Sequence, residues 1–167
     1  MVLDAISETR LALIYPGLAD KIHRMADIVA PFRVTQGLRT WQEQAVLYAQ
    51  GRTAPGTKVT DAAPGHSWHG FGLAVDLVPM DQEPPQPDWT ISHPVWQRLI
   101  SAGTSLGLVA GAQFRTFPDW PHFQYTAGVF PVSPDDEMRY ILMDKGIAAV
   151  WQELEKRIAQ NAGVPSA

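Results

Sequence analysis

The run Ser67-Trp68-His69-Gly70-Phe71-Gly72-Leu73-Ala74-Val75-Asp76 places an imidazole seven residues before an acid, with two glycines between them. From Leu73 to Val78 it reads as a strand, small and apolar except for Asp76. Side chains alternate between the faces of a strand, so Leu73, Val75 and Leu77 share one face and Ala74, Asp76 and Val78 the other. An acid in so apolar a strand is expensive to bury unless it is paired or bound to a metal. Gly70 and Gly72 let the chain bend the His69 imidazole back toward Asp76. A second cluster, Asp119-Trp120-Pro121-His122-Phe123-Gln124, supplies another acid and another imidazole. There His122 opens a short strand, with Gln124 on its face and Phe123 and Tyr125 on the other.

Two imidazoles and one carboxylate leave a tetrahedral zinc its fourth position for water, the arrangement of a catalytic site. Zinc lowers the pKa of such a water to about 7. Asp119, three residues before His122, could then act on that water as general base. Spacing alone leaves plainer readings open. Asp76 could satisfy turn amides or pair with Arg39, and His122 could be an ordinary strand-end histidine. What favours a metal is the joint pattern of buried acid, flanking glycines and second acid–histidine cluster.

The elements that must position these groups are legible in outline. Leu18 to Ala30 has the apolar spacing of an amphipathic helix, and Phe32 to Thr35 reads as a short strand followed by a turn at Gly37. Thr40-Trp41-Gln42-Glu43 fits a capping box opening a helix that runs to Gln50 and stops at Gly51. Residues 52–65 and 79–89, rich in proline and glycine, read as loops. Ser92 caps a helix through Leu106, closed by Gly107. Strand-like pieces follow at Leu108 to Phe114 and at His122 to Tyr125. Ser133-Pro134-Asp135-Asp136 starts a final helix, with Ser133 as N-cap, that reaches about Ala159 and is open to interruption at Gly146. Irregularly interleaved strands and helices imply an α+β fold: a small, mainly antiparallel sheet with flanking helices. No linker splits the chain, so residues 1–167 read as one domain.

Bulk properties narrow the partners. The 167 residues are 46% hydrophobic and 18% charged, with a formal net charge of −4. That lacks the basic excess of a nucleic-acid binder. The chain has no cysteine, so any zinc site must be built from imidazole and carboxylate. The N-terminal stretch has no basic region before an apolar run. No secretory signal and no membrane span are therefore expected, and the chain is read as a monomer.

At this point the sequence resembles the M15 family of zinc peptidases, whose fold is that of the D-alanyl-D-alanine peptidases and the hedgehog signalling domain. The pattern S-x-H-x-x-G-x-A-x-D is matched at Ser67, His69, Gly72, Ala74 and Asp76, and D-x-x-H at Asp119 and His122. An Arg followed five residues later by Gln at a helix start is matched by Arg39 and Gln44. The resemblance implies that His69, Asp76 and His122 are the ligands of one zinc ion and that Asp119 is the general base. It also implies that Arg39 steadies the developing oxyanion, that Ser67 positions substrate or the neighbouring ligand loop, and that Gln44 supports the loop carrying Arg39. His66 reads as an exposed loop residue beside the site.

An Asp rather than a Glu before His122 is similar to the L-alanyl-D-glutamate endopeptidases of phage endolysins and bacterial autolysins. Two positions depart from that type: Phe114 stands where a Trp is usual, and Gln124 where an acid is common. The expected activity is therefore cleavage of peptidoglycan stem peptides, by a protein made in the cytoplasm and acting on the wall after lysin-like release or another export route. Two alternatives remain. One is a D,D- or L,D-carboxypeptidase removing terminal D-Ala, with Arg52, Lys58 or Arg115 holding the substrate carboxylate. The other is a non-catalytic zinc-containing binding module, against which the retention of Asp119 and Arg39 argues.

Overall fold

The computed structural model describes residues 3–29, 31–81, 86–90, 92 and 94–163. Along the chain run α1 (Ala5–Leu11), α2 (Pro16–Ile28), β1 (Phe32–Gln36), α3 (Trp41–Ala49), β2 (Ala74–Asp81) and β3 (Gln86–Pro87). After them come α4 (Pro94–Ser105), β4 (Val109–Ala110), β5 (His122–Gln124), α5 (Asp136–Lys145) and α6 (Ile147–Asn161). Short 3-10 turns occupy Trp68–Phe71 and Gly111–Gln113. The fold is α+β with a small antiparallel sheet, as the sequence pattern implies. No described helix is long and apolar enough to cross a membrane. The chain divides into two compact units, Met1–Leu38 with Gly72–Tyr125 and Arg39–Phe71 with Thr126–Ala167.

The first unit holds the sheet, ordered β1-β2-β5-β4 with antiparallel neighbours, and β3 pairs with the far end of β2. Leu73, Ala74, Val75, Leu77 and Val78 are all fully buried. Both faces of β2 are thus covered, which is why its sequence is an almost continuous apolar run rather than an alternation. Leu18, Ile22 and Met25 of α2 and Leu99 of α4 complete this core. At β1 the Val34 N–H donates to Ser7 Oγ (2.9 Å), and the Arg10 guanidinium donates to the Val34 carbonyl. Side chains of α1 thereby take up the backbone groups of this edge strand.

Several expectations shift. Residues 79–81 are not loop but the end of β2, with Pro79 opposite Phe32 of β1 and Met80 and Asp81 paired with β3, while residues 82–85 lie outside the described part. Four prolines among residues 79–89 mask this short pairing in the sequence. The strand expected over Leu108 to Phe114 is only two residues long, because the backbone turns at Gly111. The fourth helix begins at Pro94; Ser92 sits in a turn whose neighbours 91 and 93 are outside the described residues.

In the second unit, α3 opens with the expected capping box. Glu43 N–H donates to Thr40 Oγ1 and Thr40 N–H to Glu43 Oε2. The long final helix is two helices, parted at Gly146, whose φ of 83° is left-handed. Its N-cap is Asp135, which accepts from the Met138 N–H, and not Ser133. The Pro134 carbonyl is taken instead by the Arg139 guanidinium (2.7 Å). Trp68 stacks on Phe130 and meets Phe71 edge-on, with both centroids at 5.3 Å.

Gly103 lets α4 press against the sheet: a Cβ there would lie 2.7 Å from Cε1 of the fully buried Phe123. Gly103→Ala gains about 1 kcal/mol of helix propensity but overpacks a closed core at a cost of about 1–3 kcal/mol. Net destabilisation is expected, seen as a lower midpoint in urea unfolding.

Candidate metal centre

In the first unit the strand register does the positioning. Asp76 on β2 lies directly opposite His122 on β5, and Gln124 opposite Ala74. Opposed residues of an antiparallel pair have Cβ atoms about 5 Å apart, so the carboxylate and imidazole meet without any loop having to reach. Asp76 Oδ1 lies 3.6 Å from His122 Nδ1. The other ring nitrogen, Nε2, is 2.9 Å from Oε1 of Gln124, itself 2% exposed. A carbonyl oxygen only accepts, so Nε2 carries the hydrogen. In the neutral ring Nδ1 therefore holds a lone pair facing a carboxylate oxygen. Two acceptors so placed call for a proton or a metal cation between them. An outer hydrogen bond that fixes the tautomer and turns the other nitrogen inward is the usual support of a metal-binding histidine.

The titration of His122 reflects the same arrangement. Burial disfavours the imidazolium, but hydrogen bonding and charge attraction from Asp76, the charge of Asp119 and the bond to Gln124 outweigh it. The pKa stands above the ordinary histidine value.

In the second unit His69 sits in the 3-10 turn Trp68–Phe71 and is 1% exposed. Indole N–H groups brace that turn at both ends. Trp68 donates to the carbonyls of Val132 (3.0 Å) and Pro131 (3.3 Å), and Trp151 of α6 donates to the Phe71 carbonyl (2.9 Å). The His69 carbonyl accepts from the Arg39 N–H (3.1 Å), and the His69 N–H donates to Ser67 Oγ (3.4 Å). Trp68 is therefore core. Trp120 is partly buried and edge-on to Trp96.

Among the described residues, His69, Asp76 and His122 form a group able to hold a metal ion. Each offers one ligand atom, and these atoms all lie within 4.8 Å of one another. Two buried imidazoles and a half-buried carboxylate, without thiolate, are a donor set that suits zinc. The other expected site residues stand as follows. Arg39 Nη1 donates to Gln44 Oε1 (3.0 Å), and Gln44, 3% exposed, donates through Nε2 to the Ala62 carbonyl (2.7 Å). Asp119 gives its N–H to the Gly111 carbonyl (2.9 Å), and its own carbonyl accepts from the His122 N–H (3.2 Å). His66 is exposed, with Nδ1 3.3 Å from Arg139 Nη1.

Two residues carry more than the sequence reading gave them. Gln124 is buried and orients His122, and its place two residues along the same strand face is the signal that could have found it. A Cβ on Gly111 would lie 2.6 Å from the Asp119 carbonyl oxygen and 2.8 Å from His122 Cβ. Only a residue without a side chain lets the Asp119–His122 turn seat on this backbone, and no local pattern announces that.

Comparison with known proteins accords with this geometry. Residues 60–125 match the M15 peptidase family model described as D-alanyl-D-alanine carboxypeptidase. Over 98 residues the chain is 32% identical to the peptidoglycan L-alanyl-D-glutamate endopeptidase CwlK of Bacillus subtilis (strain 168). That stretch is 54% of this chain and 58% of the relative, so the chain spans less than two thirds of that protein's length. The crystal structure of the Serratia marcescens L-Ala D-Glu endopeptidase ChiX superposes with a TM-score of 0.52 at 26% identity, covering 73% of this chain and 87% of that one. The resemblance to M15 peptidases read from the sequence is borne out by all three.

Two outcomes are expected. Gly111→Ala should leave the protein folded by circular dichroism while weakening divalent-metal binding by at least tenfold, measured by competition with a chelating dye. For pH, the raised pKa of His122 means that its stabilising interaction is fully present below the ordinary value of about 6.5. It is lost as pH rises through the raised value. Metal needs the neutral ring. Over that same interval the melting temperature of chelator-treated protein should fall, while the increment on adding zinc should grow. Both trends should vanish in His122→Gln.

Proposed function

We propose that this M15 peptidase relative is a zinc endopeptidase of peptidoglycan, cutting the stem peptide between L-alanine and D-glutamate. The observation that carries the reading is the group His69, Asp76 and His122, two imidazoles and a carboxylate with ligand atoms within 4.8 Å of one another. In this reading the three hold one zinc ion, which when bound lowers the pKa of a water and polarises the scissile carbonyl. Asp119 takes the proton of the attacking water and passes it to the leaving amine. Arg39 offers a fixed positive charge where the oxyanion develops. Gln44 acts through Arg39, whose guanidinium it receives, and Ser67 borders the substrate beside His69. The protein acts as a monomer on the cell wall, after lysin-like release or by another export route.

Two considerations favour an endopeptidase over a carboxypeptidase. CwlK and ChiX are both L-alanyl-D-glutamate endopeptidases by name. A carboxypeptidase also needs a cation for the terminal carboxylate, and two of the three candidates are engaged within their own loop. Arg52 donates to the carbonyls of Tyr48 and Thr60 and to Asp61, with its guanidinium 4.0 Å above the Tyr48 ring. Lys58 pairs with the same Asp61.

Asp119→Ala should lower turnover by at least about a hundredfold while zinc stays bound. Hydrolysis at the wild-type rate by that variant would remove Asp119 from the mechanism. Purified peptidoglycan digested with and without chelator, and read by mass spectrometry, should yield new D-Glu amino termini; free D-Ala would establish the carboxypeptidase instead.

A further inference from the structure

The loop that delivers His69 is flanked by Gly65 and Gly70, and both glycines lie against the same side chain. A Cβ on Gly65 would stand 3.2 Å from Cζ2 and 3.4 Å from Cε2 of Trp41. One on Gly70 would stand 3.1 Å from Nε1 and 3.2 Å from Cδ1 of the same indole. Those four ring atoms are consecutive along the N–H edge, so residues 65–70 wrap around that edge. Nε1 is consequently buried, with no hydrogen-bond partner among the described residues. A buried donor without an acceptor is unfavourable, so the indole is not held there by hydrogen bonding. What it contributes is shape.

We propose that Trp41 is a positioning residue for the metal ligand His69: its indole is the former around which the loop from Gly65 to Gly70 is folded. Trp41 is also the first residue of α3, directly after the N-cap Thr40, where the capping box fixes the backbone that carries it. Arg39, two residues earlier, donates its N–H to the His69 carbonyl. One rigid helix start therefore holds the ligand turn by a main-chain bond and by a wedge. Gly65 has a left-handed φ of 78°, and a Cβ there would also stand 3.1 Å from Arg139 Cδ, so the loop has little room to re-form around a smaller core.

The inference rests on His69 binding the metal, so the test starts by measuring zinc affinity of the full chain and of His69→Ala by dye competition. If His69→Ala binds as the wild type does, the metal reading itself fails. If it loses binding, Trp41→Ala should weaken zinc at least tenfold, the range seen when a ligand's supporting partner is lost. Val150→Ala, a fully buried change in α6, should lower the melting temperature without that loss. Gly70→Ala should also weaken zinc, because its methyl meets the indole. The double variant Gly70→Ala with Trp41→Ala should bind zinc no more weakly than Trp41→Ala alone, since the added methyl then has no indole to meet. A folded Trp41→Ala with wild-type affinity, or a double variant in which the two single losses simply add, would overturn the proposal.

Discussion

Asp76 and His122 face each other across two antiparallel strands, and the rest of the first unit is arranged around that opposition. An acid in a fully covered strand is unfavourable by several kcal/mol unless a positive partner neutralises it. The partner is a ring whose outer nitrogen is already tied to Gln124, so its inner nitrogen can complement the carboxylate only as an imidazolium or through a metal. Because side chains alternate with a period of two, a one-residue slip of β5 would replace His122 by Phe123 and destroy the pairing. The buried Phe123 ring, pressed on Gly103, and the close approach of Gly111 to the Asp119–His122 turn both hold that register.

The second unit solves a different problem. A 3-10 turn has poor hydrogen-bond geometry of its own and needs bonds to the surrounding chain to be rigid. Here they come from two indoles and one backbone amide: Trp68 anchors the turn to residues 131 and 132, Trp151 takes the Phe71 carbonyl, and Arg39 takes that of His69. Trp68 and Trp151 thus serve as turn braces rather than as exposed platforms. Binding geometry that must hold within fractions of an ångström is better secured by packing than by chain stiffness.

How much of this was legible follows from how local each feature is. The capping box of Thr40 and Glu43 is contained in four residues and was readable. The strand through Asp76 was readable because one acid in an apolar run is a strong signal. The short pairing of β2 with β3 places Pro87 in a strand, a residue that argues against one, and so the sequence hides it. Ser133 lost the N-cap role to Asp135 because Arg139, four residues further on, takes the intervening carbonyl, a side-chain choice no pattern encodes. The M15 resemblance came from three motifs in order. Gly70 was legible as a bend but not as a seat for Trp41, and the glycines at 65, 103 and 111 could be seen but not interpreted, since what each makes room for arrives from elsewhere in the fold.

The coverage of β1 by α1 bears on how the protein behaves in company. An exposed edge strand is a template on which another chain can add, the first step toward aggregation. At the centre of β1, Ser7 already receives the Val34 amide and Arg10 already donates to its carbonyl, so an incoming strand would have to displace both. At the other edge of the β1-β2-β5-β4 path, β4 is only two residues long and turns away at Gly111. Helix side chains at one margin and an abrupt turn at the other leave the sheet little to recruit with, a form of negative selection against self-templating written into α1.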